Sequence, residues 1–346
     1  MRALLFENYN APMTVQQVAD PALPDDGVLI QVGASGICRS DWHAWQGHDP
    51  INSLPHVPGH EFAGAVTAVG PGVRKFRVGQ RVTAPFSIGC GACAQCRRGR
   101  LNICDAGITP GFSTWGSAAE LVAVHHADVN LAALPAAIDD TTAASLGCRY
   151  ITAFRAVVDQ GRLSGGERVV VHGCGGLGLA CVQIAASLGA EVFAVDISTA
   201  ALALAKDLGA SHLIDARDHD DPGALVREMT RGGAELSLDA LGSGITCRNS
   251  LLSLGKKGRH IQIGLLAAEG GTAELPVEWM IGRELEFLGS RGMPAWRYER
   301  LFELILRGRL NPAALITRQV SLAAAADEYA AMGSYSNPGI AVITRF

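Results

Sequence analysis

Arg168-Val169-Val170-Val171-His172-Gly173-Cys174-Gly175-Gly176-Leu177-Gly178 is the stretch whose reading decides the fold. Three consecutive valines before a glycine-rich turn, followed by helical apolar spacing from Gly176 to Leu188, describe a buried strand that turns sharply into a helix. In that context the glycines fit the dinucleotide fingerprint. Gly173 allows the turn, Gly175 lets a pyrophosphate approach the backbone, and Gly178 permits close helix packing, with Gly176 and Leu177 the further coenzyme-binding residues of the turn. The helix N-terminus favours the anion. Asp196 closes the next strand, Glu191 to Val195, 18 residues after Gly178. Its carboxylate suits ribose hydroxyls and repels a 2′-phosphate. With no Lys or Arg between Asp196 and Lys206, the expected cofactor is NAD in preference to NADP.

The pattern continues on the C-terminal side. Helix Thr199 to Leu208, a short strand near Leu213-Ile214, helix Gly223 to Thr230, strand Leu236 to Asp239, helix Ile245 to Leu254, strand Arg259 to Ile263 and a sixth strand at Leu285 to Leu288 alternate regularly. Such alternation makes a doubly wound parallel sheet with helices on both faces. On the N-terminal side the texture differs. The first ~145 residues hold short β-like runs broken by Gly and Pro, such as Gly27 to Val32 and Phe62 to Gly70, and no helix of ordinary length. A chain of 346 residues suits two domains. The expected division is a coenzyme domain at 150–291 and a β-rich domain at 1–149, to which the tail 292–346 returns with a helix near Trp296 to Leu306 and a last strand from Gly339.

Composition narrows the function. A net charge of −4 with scattered basic residues gives no polybasic footprint for nucleic acid or an anionic membrane, and 48% apolar residues indicate a globular chain. The N-terminus, Met1 to Asn8, meets polar residues before a signal-peptide core forms, and no apolar run approaches the ~18 residues of a membrane span. A cytoplasmic location is expected. Nine cysteines then point to metal or thiol chemistry before disulfides.

Cys90, Cys93, Cys96 and Cys104 form C-x2-C-x2-C-x7-C, four thiolates in one short lobe. Closed tetrahedral coordination by four sulfurs is the mark of a structural zinc. A redox dithiol or a pair of disulfides is the alternative. The second cluster is Cys38-Arg39-Ser40-Asp41-Trp42-His43, which reads as half of a catalytic zinc site completed by His60, in Pro58-Gly59-His60-Glu61, and by Cys148. Three protein ligands would leave a fourth position for a substrate oxygen. Taken singly, a buried Cys is more often a small apolar side chain and a lone His a surface or core residue.

Together these motifs resemble the zinc-dependent medium-chain alcohol dehydrogenases, in the family's order and over essentially the whole chain. The resemblance implies a GroES-like catalytic domain joined to a Rossmann coenzyme domain, and hydride transfer between an alcohol, or its aldehyde or ketone, and NAD. It implies two zinc ions per chain, one catalytic on Cys38, His60 and Cys148 and one structural on Cys90, Cys93, Cys96 and Cys104. Glu61 is placed behind the catalytic metal, able to exchange onto it, and Asp41 as the carboxylate that orients the His60 imidazole. Ser40 and His43 match a relay that carries the alcohol proton through the nicotinamide ribose, a role that wants His43 to titrate near working pH. Arg39 matches a pyrophosphate contact, Thr152 a residue beside the nicotinamide, and Ile263 and Leu265 further coenzyme contacts. Phe86, Trp42 and Trp115 are pocket-wall candidates, while His48 and His56 are candidates for the cleft edge. The short run from Cys104 through Gly107 to Trp115 is similar to the compact microbial members, often tetrameric. The chain departs from the family at Ile340, where a basic residue often follows the glycine.

A polyol or amino-alcohol dehydrogenase of the same fold is the nearest competitor. Polyol-type members tend to carry Glu where this chain has Cys148. A non-catalytic NAD-binding protein, the reading from another class, would be expected to have lost zinc ligands or the relay, and this chain has both.

Overall fold

The computed structural model describes residues 1–49, 51, 53–266, 270–334 and 337–346. The chain divides into two compact units, one formed by Met1–Ile151 with Gly292–Phe346 and the other by Thr152–Arg291.

The unit Thr152–Arg291 contains a six-stranded sheet in which every pairing is parallel. In spatial order its strands are His212–Asp215, Glu191–Asp196, Arg168–His172, Ala234–Asp239, Leu254–Gln262 and Glu286–Gly289. Numbered along the unit this is 3-2-1-4-5-6, the doubly wound Rossmann order, with the chain reversing direction of travel between the first and fourth strands. Val169, Val170 and Val171 have no exposed surface, as a strand covered on both faces requires. The helix Gly176–Ser187 is buried continuously from Gly178 to Ala185, which its apolar circumference permits. Later helices are started by side chains that accept from orphan N–H groups: Ser198 from Ala201, Asp221 from Ala224, and Ser243 in a reciprocal capping box with Thr246.

The other unit is built on a seven-stranded, mostly antiparallel sheet. Its centre is the long strand Val28–Ile37, flanked by Glu61–Val69 on one side and Ile340–Arg345 on the other, with Leu121–Val124 pairing to the same strand. The C-terminal strand thus sits in the sheet beside N-terminal sequence. Two apolar clusters lie on this sheet. One centres on Phe62, Val66, Ile30 and Val124, and the other on Phe6, Tyr329, Ile37 and Ile343. Among the described residues, helices before residue 140 are short, the longest being Arg39–Trp45.

A helical run from Asp140 to Gln160 escaped the sequence reading. It alternates α and π turns, Asp140–Ala144, Leu146–Tyr150, Ile151–Phe154 and Arg155–Gln160. Its Asp139 cap accepts from Thr142 N–H at 2.6 Å. The run is apolar on most sides, so no stripe of 3.6-residue period distinguishes it from a strand region. The helix Val277–Arg283 was also missed, because it buries no residue and therefore has no inward stripe.

Gly178 shows how strictly the turn is built. A Cβ placed there would lie 1.8 Å from the Gly173 carbonyl oxygen. Gly178→Ala should therefore force the helix off the strand and cost on the order of 1–3 kcal/mol, the scale of overpacking. Urea unfolding of the variant against wild type measures it; an unchanged midpoint would show that the helix can shift freely.

Candidate active site

The first unit gathers its chemistry where the two central strands meet. Antiparallel pairing sets Gly36 opposite Glu61, so Cys38, just beyond one strand, and His60, just before the other, come to the same end of the sheet. Cys38 is also the N-cap of helix Arg39–Trp45. Cys148 arrives from the π turn Leu146–Tyr150, whose Gly147 carbonyl accepts from Phe86 N–H at 2.8 Å. The donor atoms of Cys38, His60, Glu61 and Cys148 all lie within 4.8 Å of one another. Gly36 makes room for this: a Cβ there would stand 2.3 Å from a Glu61 carboxylate oxygen.

Hydrogen bonds assign the side chains different tasks. Asp41 Oδ1 accepts from His60 Nδ1 and from Gly59 N–H, each at 2.9 Å. The imidazole is therefore protonated on Nδ1, and Nε2 is the nitrogen left for another partner. Burial works against charge on His60, yet the charges of Asp41 and Cys38 raise its pKa well above the usual value. Cys38 is held well below the usual thiol value by a hydrogen bond from Cys148, against burial and with help from His60 and Arg149. This is a thiolate environment.

Glu61 is wholly buried and bound by Arg149, the residue after Cys148. Oε1 accepts from Arg149 Nε at 3.0 Å and from its backbone N–H at 3.1 Å, while Oε2 accepts from Nη2. Burial pushes the Glu61 carboxyl up against the pull of Arg149, and Glu61 keeps the equally buried guanidinium charged. Both carboxylate oxygens are thus committed to the guanidinium fork. Sequence reasoning missed Arg149, although a cation directly beside a candidate ligand was visible as Cys148-Arg149.

Helix Arg39–Trp45 turns Asp41 and Ala44 inward and leaves Ser40 and His43, three residues apart, partly exposed on one face. Arg39 lies 4.7 Å above the Trp42 ring and donates to the Met332 carbonyl at 2.6 Å. Phe86 and Phe112 both meet the His60 ring edge-on, at 6.0 and 5.5 Å; Phe112 was not expected. Trp115 donates to Pro55 O at 3.3 Å. His56 is buried and packs edge-on against Phe6 at 5.8 Å, among core side chains. His48 joins His43, with their Nδ1 atoms 3.1 Å apart.

In the lobe, the sulfurs of Cys90, Cys93, Cys96 and Cys104 form a second group of donors within 4.8 Å. Backbone N–H groups point at them: Cys93 to Cys90 Sγ at 3.4 Å, Cys96 to Cys93 Sγ at 3.5 Å, and both Cys90 and Ala106 to Cys104 Sγ at 3.3 Å. Donors from Ala92 and Cys93 bring the Cys90 thiol down to about 6. None of the nine cysteines is in a disulfide. Trp296 seats the lobe by donating to Gly99 O at 3.0 Å.

In the other unit, Asp196 reaches back to the glycine turn. Its Oδ2 accepts from Cys174 N–H at 2.5 Å and its Oδ1 from Ser198 N–H at 2.8 Å. A Cβ on Gly175 would meet nothing within 4 Å, which leaves the turn open to a ligand. Thr152 and Ile263 are buried, the latter donating to Asp239 O at 3.1 Å, while Leu265 is exposed. Asp239, at a strand end, accepts from Leu241 and Gly242 N–H at 3.0 Å and from Gln262 at 2.9 Å. It was not singled out from sequence.

Residues 24–136 match the alcohol dehydrogenase GroES-like domain, and residues 176–307 the zinc-binding dehydrogenase domain. A sorbitol dehydrogenase from Halalkalibacterium halodurans is 32% identical over 93% of this chain and 93% of its own. The chain belongs to the zinc-binding medium-chain alcohol dehydrogenases. An alcohol dehydrogenase from Geobacillus stearothermophilus is 33% identical over 77% of this chain and 78% of its own. The solved structure of a Thermus alcohol dehydrogenase superimposes with a TM-score of 0.91 at 31% identity, covering all of both chains. This dehydrogenase, like its family, is a zinc-dependent oxidoreductase of alcohols, with the GroES-like and Rossmann folds described above.

The Glu61–Arg149 pair gives a stability prediction. Arg149→Met should leave a buried carboxylate unpaired and cost about 3–5 kcal/mol. Adding Glu61→Gln should recover a large part of the loss, because the orphaned charge is removed. A double-mutant cycle by chemical denaturation reads this coupling, and simple additivity of the two single losses would refute it.

Proposed function

We propose that this dehydrogenase uses NAD and two zinc ions per chain, with Cys38, His60 and Cys148 holding the catalytic ion and Cys90, Cys93, Cys96 and Cys104 the structural one. The observation that carries the reading is the division of labour at the first cluster. Two sulfurs and an imidazole nitrogen converge, the imidazole is backed by Asp41, and the fourth donor, Glu61, is committed to Arg149. Such a set suits zinc with an open position, and the lobe's four sulfurs with N–H···S bonds suit a closed one.

A bound zinc supplies Lewis acidity that favours loss of the alcohol proton and withdrawal of electron density from a carbonyl. The chain's own residues do the rest. Asp41 fixes the tautomer and aim of His60. Arg149 balances Glu61 inside a buried site. Phe86 and Phe112 shield the His60 ring from water, and Ser40 and His43 move the alcohol proton outward. Asp196 and the glycine turn hold the adenosine side of the coenzyme, Arg39 its pyrophosphate, and Thr152, Ile263 and Leu265 its nicotinamide end.

The substrate class is a simple primary or secondary alcohol, supported by Cys148 standing where polyol-type members tend to carry Glu. The sorbitol dehydrogenase among the relatives favours a polyol as the second reading. Turnover across primary, secondary and polyol alcohols with NAD separates the two, and exclusive use of polyols would overturn the first. A cytoplasmic homotetramer completes the proposal. Cysteines held as zinc ligands and not as disulfides fit a reducing compartment, and Val277 and Ile281, 56% and 71% exposed on the helix that leads into the outer strand Glu286–Gly289, offer an apolar face for a second copy.

Metal analysis should find two zinc ions per chain, one for each donor group. Chelation should remove the ion of the open site first, abolishing activity while the fold survives, and the lobe should unfold later. Full activity with a single zinc would defeat the two-site assignment.

Asp196→Ala should weaken NAD binding by about 1.5–3 kcal/mol, the range for hydrogen bonds to a charged group, and narrow the preference over NADP. The ratio of kcat/KM values for the two coenzymes is the readout. An unchanged ratio would move ribose recognition elsewhere.

A further inference from the structure

His48, a cleft-edge candidate from the sequence, has no part in the reaction proposed above, and the local backbone explains where its ring sits. Helix Arg39–Trp45 ends in a Schellman turn: Gly47 N–H donates to Ala44 O at 3.0 Å, and His48 N–H donates to His43 O at 2.9 Å. Gly47 takes φ +77°, the left-handed conformation such a turn needs. This turn brings the side chains of the third-last helical residue and the third residue after the helix together. Here both are histidines. Their Nδ1 atoms are 3.1 Å apart and their ring centroids 5.4 Å apart, while the edge of Trp42 packs against each, at 4.9 and 5.8 Å. His43 is partly buried and His48 exposed.

A hydrogen bond between two Nδ1 atoms requires one protonated and one bare nitrogen, so the two neutral rings have complementary tautomers. With Nδ1 of His43 engaged, Nε2 is its remaining nitrogen. Burial, the Arg39 guanidinium and His48 push the His43 imidazole down to about 4, against the opposing charge of Cys38. The ring is therefore neutral at neutral pH and a poor resting place for a proton, contrary to the expectation of titration near working pH. It is suited to passing a proton on.

We infer that His48 is the outer proton acceptor of this dehydrogenase, taking the proton that His43 relays. A proton that binds Nε2 of His43 is matched by one leaving His43 Nδ1 for Nδ1 of His48, and His48 then releases its Nε2 proton to water. One proton enters and one leaves, no electrons are transferred, and both rings finish as neutral imidazoles of the other tautomer, which exchange with water resets. The inference rests on the reading of Ser40 and His43 as the path of the alcohol proton.

Two measurements test it. In ¹⁵N-histidine-labelled, coenzyme-free protein, NMR should show one protonated and one bare Nδ1 in the pair, and His48→Gln should release His43 Nδ1 from its partner. Two rings with no shared proton would overturn the inference. In steady-state oxidation, His48→Gln and His48→Ala should slow turnover about 10-fold near pH 6, less than the ~10²-fold or greater loss of a full acid–base group. The defect should fade at high pH, where hydroxide replaces the missing base, and imidazole buffer should restore it, while zinc content and NADH affinity stay as in wild type. The His43→Gln variant separates the two claims. If it keeps the wild-type rate near pH 6, the relay reading itself fails. If it is slow while both His48 variants match wild type in rate and buffer response, only the role of His48 fails.

Discussion

The hydrogen bonds accepted by Asp41 Oδ1 are the constraint on which the catalytic unit depends. One carboxylate oxygen on the helix Arg39–Trp45 receives both the Nδ1 proton of His60 and the N–H of Gly59. It therefore ties the helix that follows one central strand to the entry of the next. Because Cys38 caps that helix and His60 precedes that strand, the same contact sets the separation of sulfur and nitrogen. It also fixes the tautomer. A bare carboxylate in a site with no exposed surface would be costly, and its partner imidazole offsets that cost only in this arrangement.

Around this contact, buried charges are arranged in pairs. Glu61 with Arg149 and Asp41 with His60 place two carboxylates, a guanidinium and an imidazole beside two thiols, all inside one unit. Glu61 has both oxygens satisfied by Arg149, while Asp41 is satisfied through Oδ1 alone and its Oδ2 is buried without a hydrogen-bond partner. The consequence for chemistry is selective. His60 turns its second nitrogen toward Cys38, inside the donor cluster, whereas Glu61 has both oxygens occupied by Arg149. Donors that look equivalent in a sequence motif are thereby divided into those available and those restrained.

The coenzyme unit works through backbone geometry more than through charge. Its parallel sheet brings the ends of Arg168–His172 and Glu191–Asp196 side by side, so Asp196 accepts from Cys174 in the glycine turn. Nearby, Asp239 and Gln262 brace the adjacent strand ends, and His260 continues that network through Gln262 at 3.1 Å and Ser250 at 2.9 Å. Burial pushes His260 down to about 4 and keeps it neutral within this polar seam. The hydrogen bonds to Asp196 and Asp239 tie Cys174, Leu241 and Gly242 to the strand ends.

The Rossmann half was legible from local pattern, because its first two strands, Arg168–His172 and Glu191–Asp196, are short buried apolar runs and the turn between the first strand and its helix carries its own glycines. Strand Arg168–His172 and helix Gly176–Ser187 could be read almost to the residue. The four-cysteine lobe was legible for the same reason, since all four sulfurs lie on one short segment. What local pattern could not decide was any relation made across long sequence separation. Arg149 meets Glu61 across 88 residues, and Phe112 meets the His60 ring from a separate loop. The helical run Asp140–Gln160 was hidden because burial on most sides erases the periodicity that marks a helix. His48 is an intermediate case: the Gly47 turn that brings it to His43 is local, but which nitrogens face each other depends on Trp42 packing against both rings. Residue types and spacings thus determined the two folds and the inventory of donors. Only the tertiary structure decided which donors are paired, restrained or free, because that depends on what burial places within 3 Å of each atom.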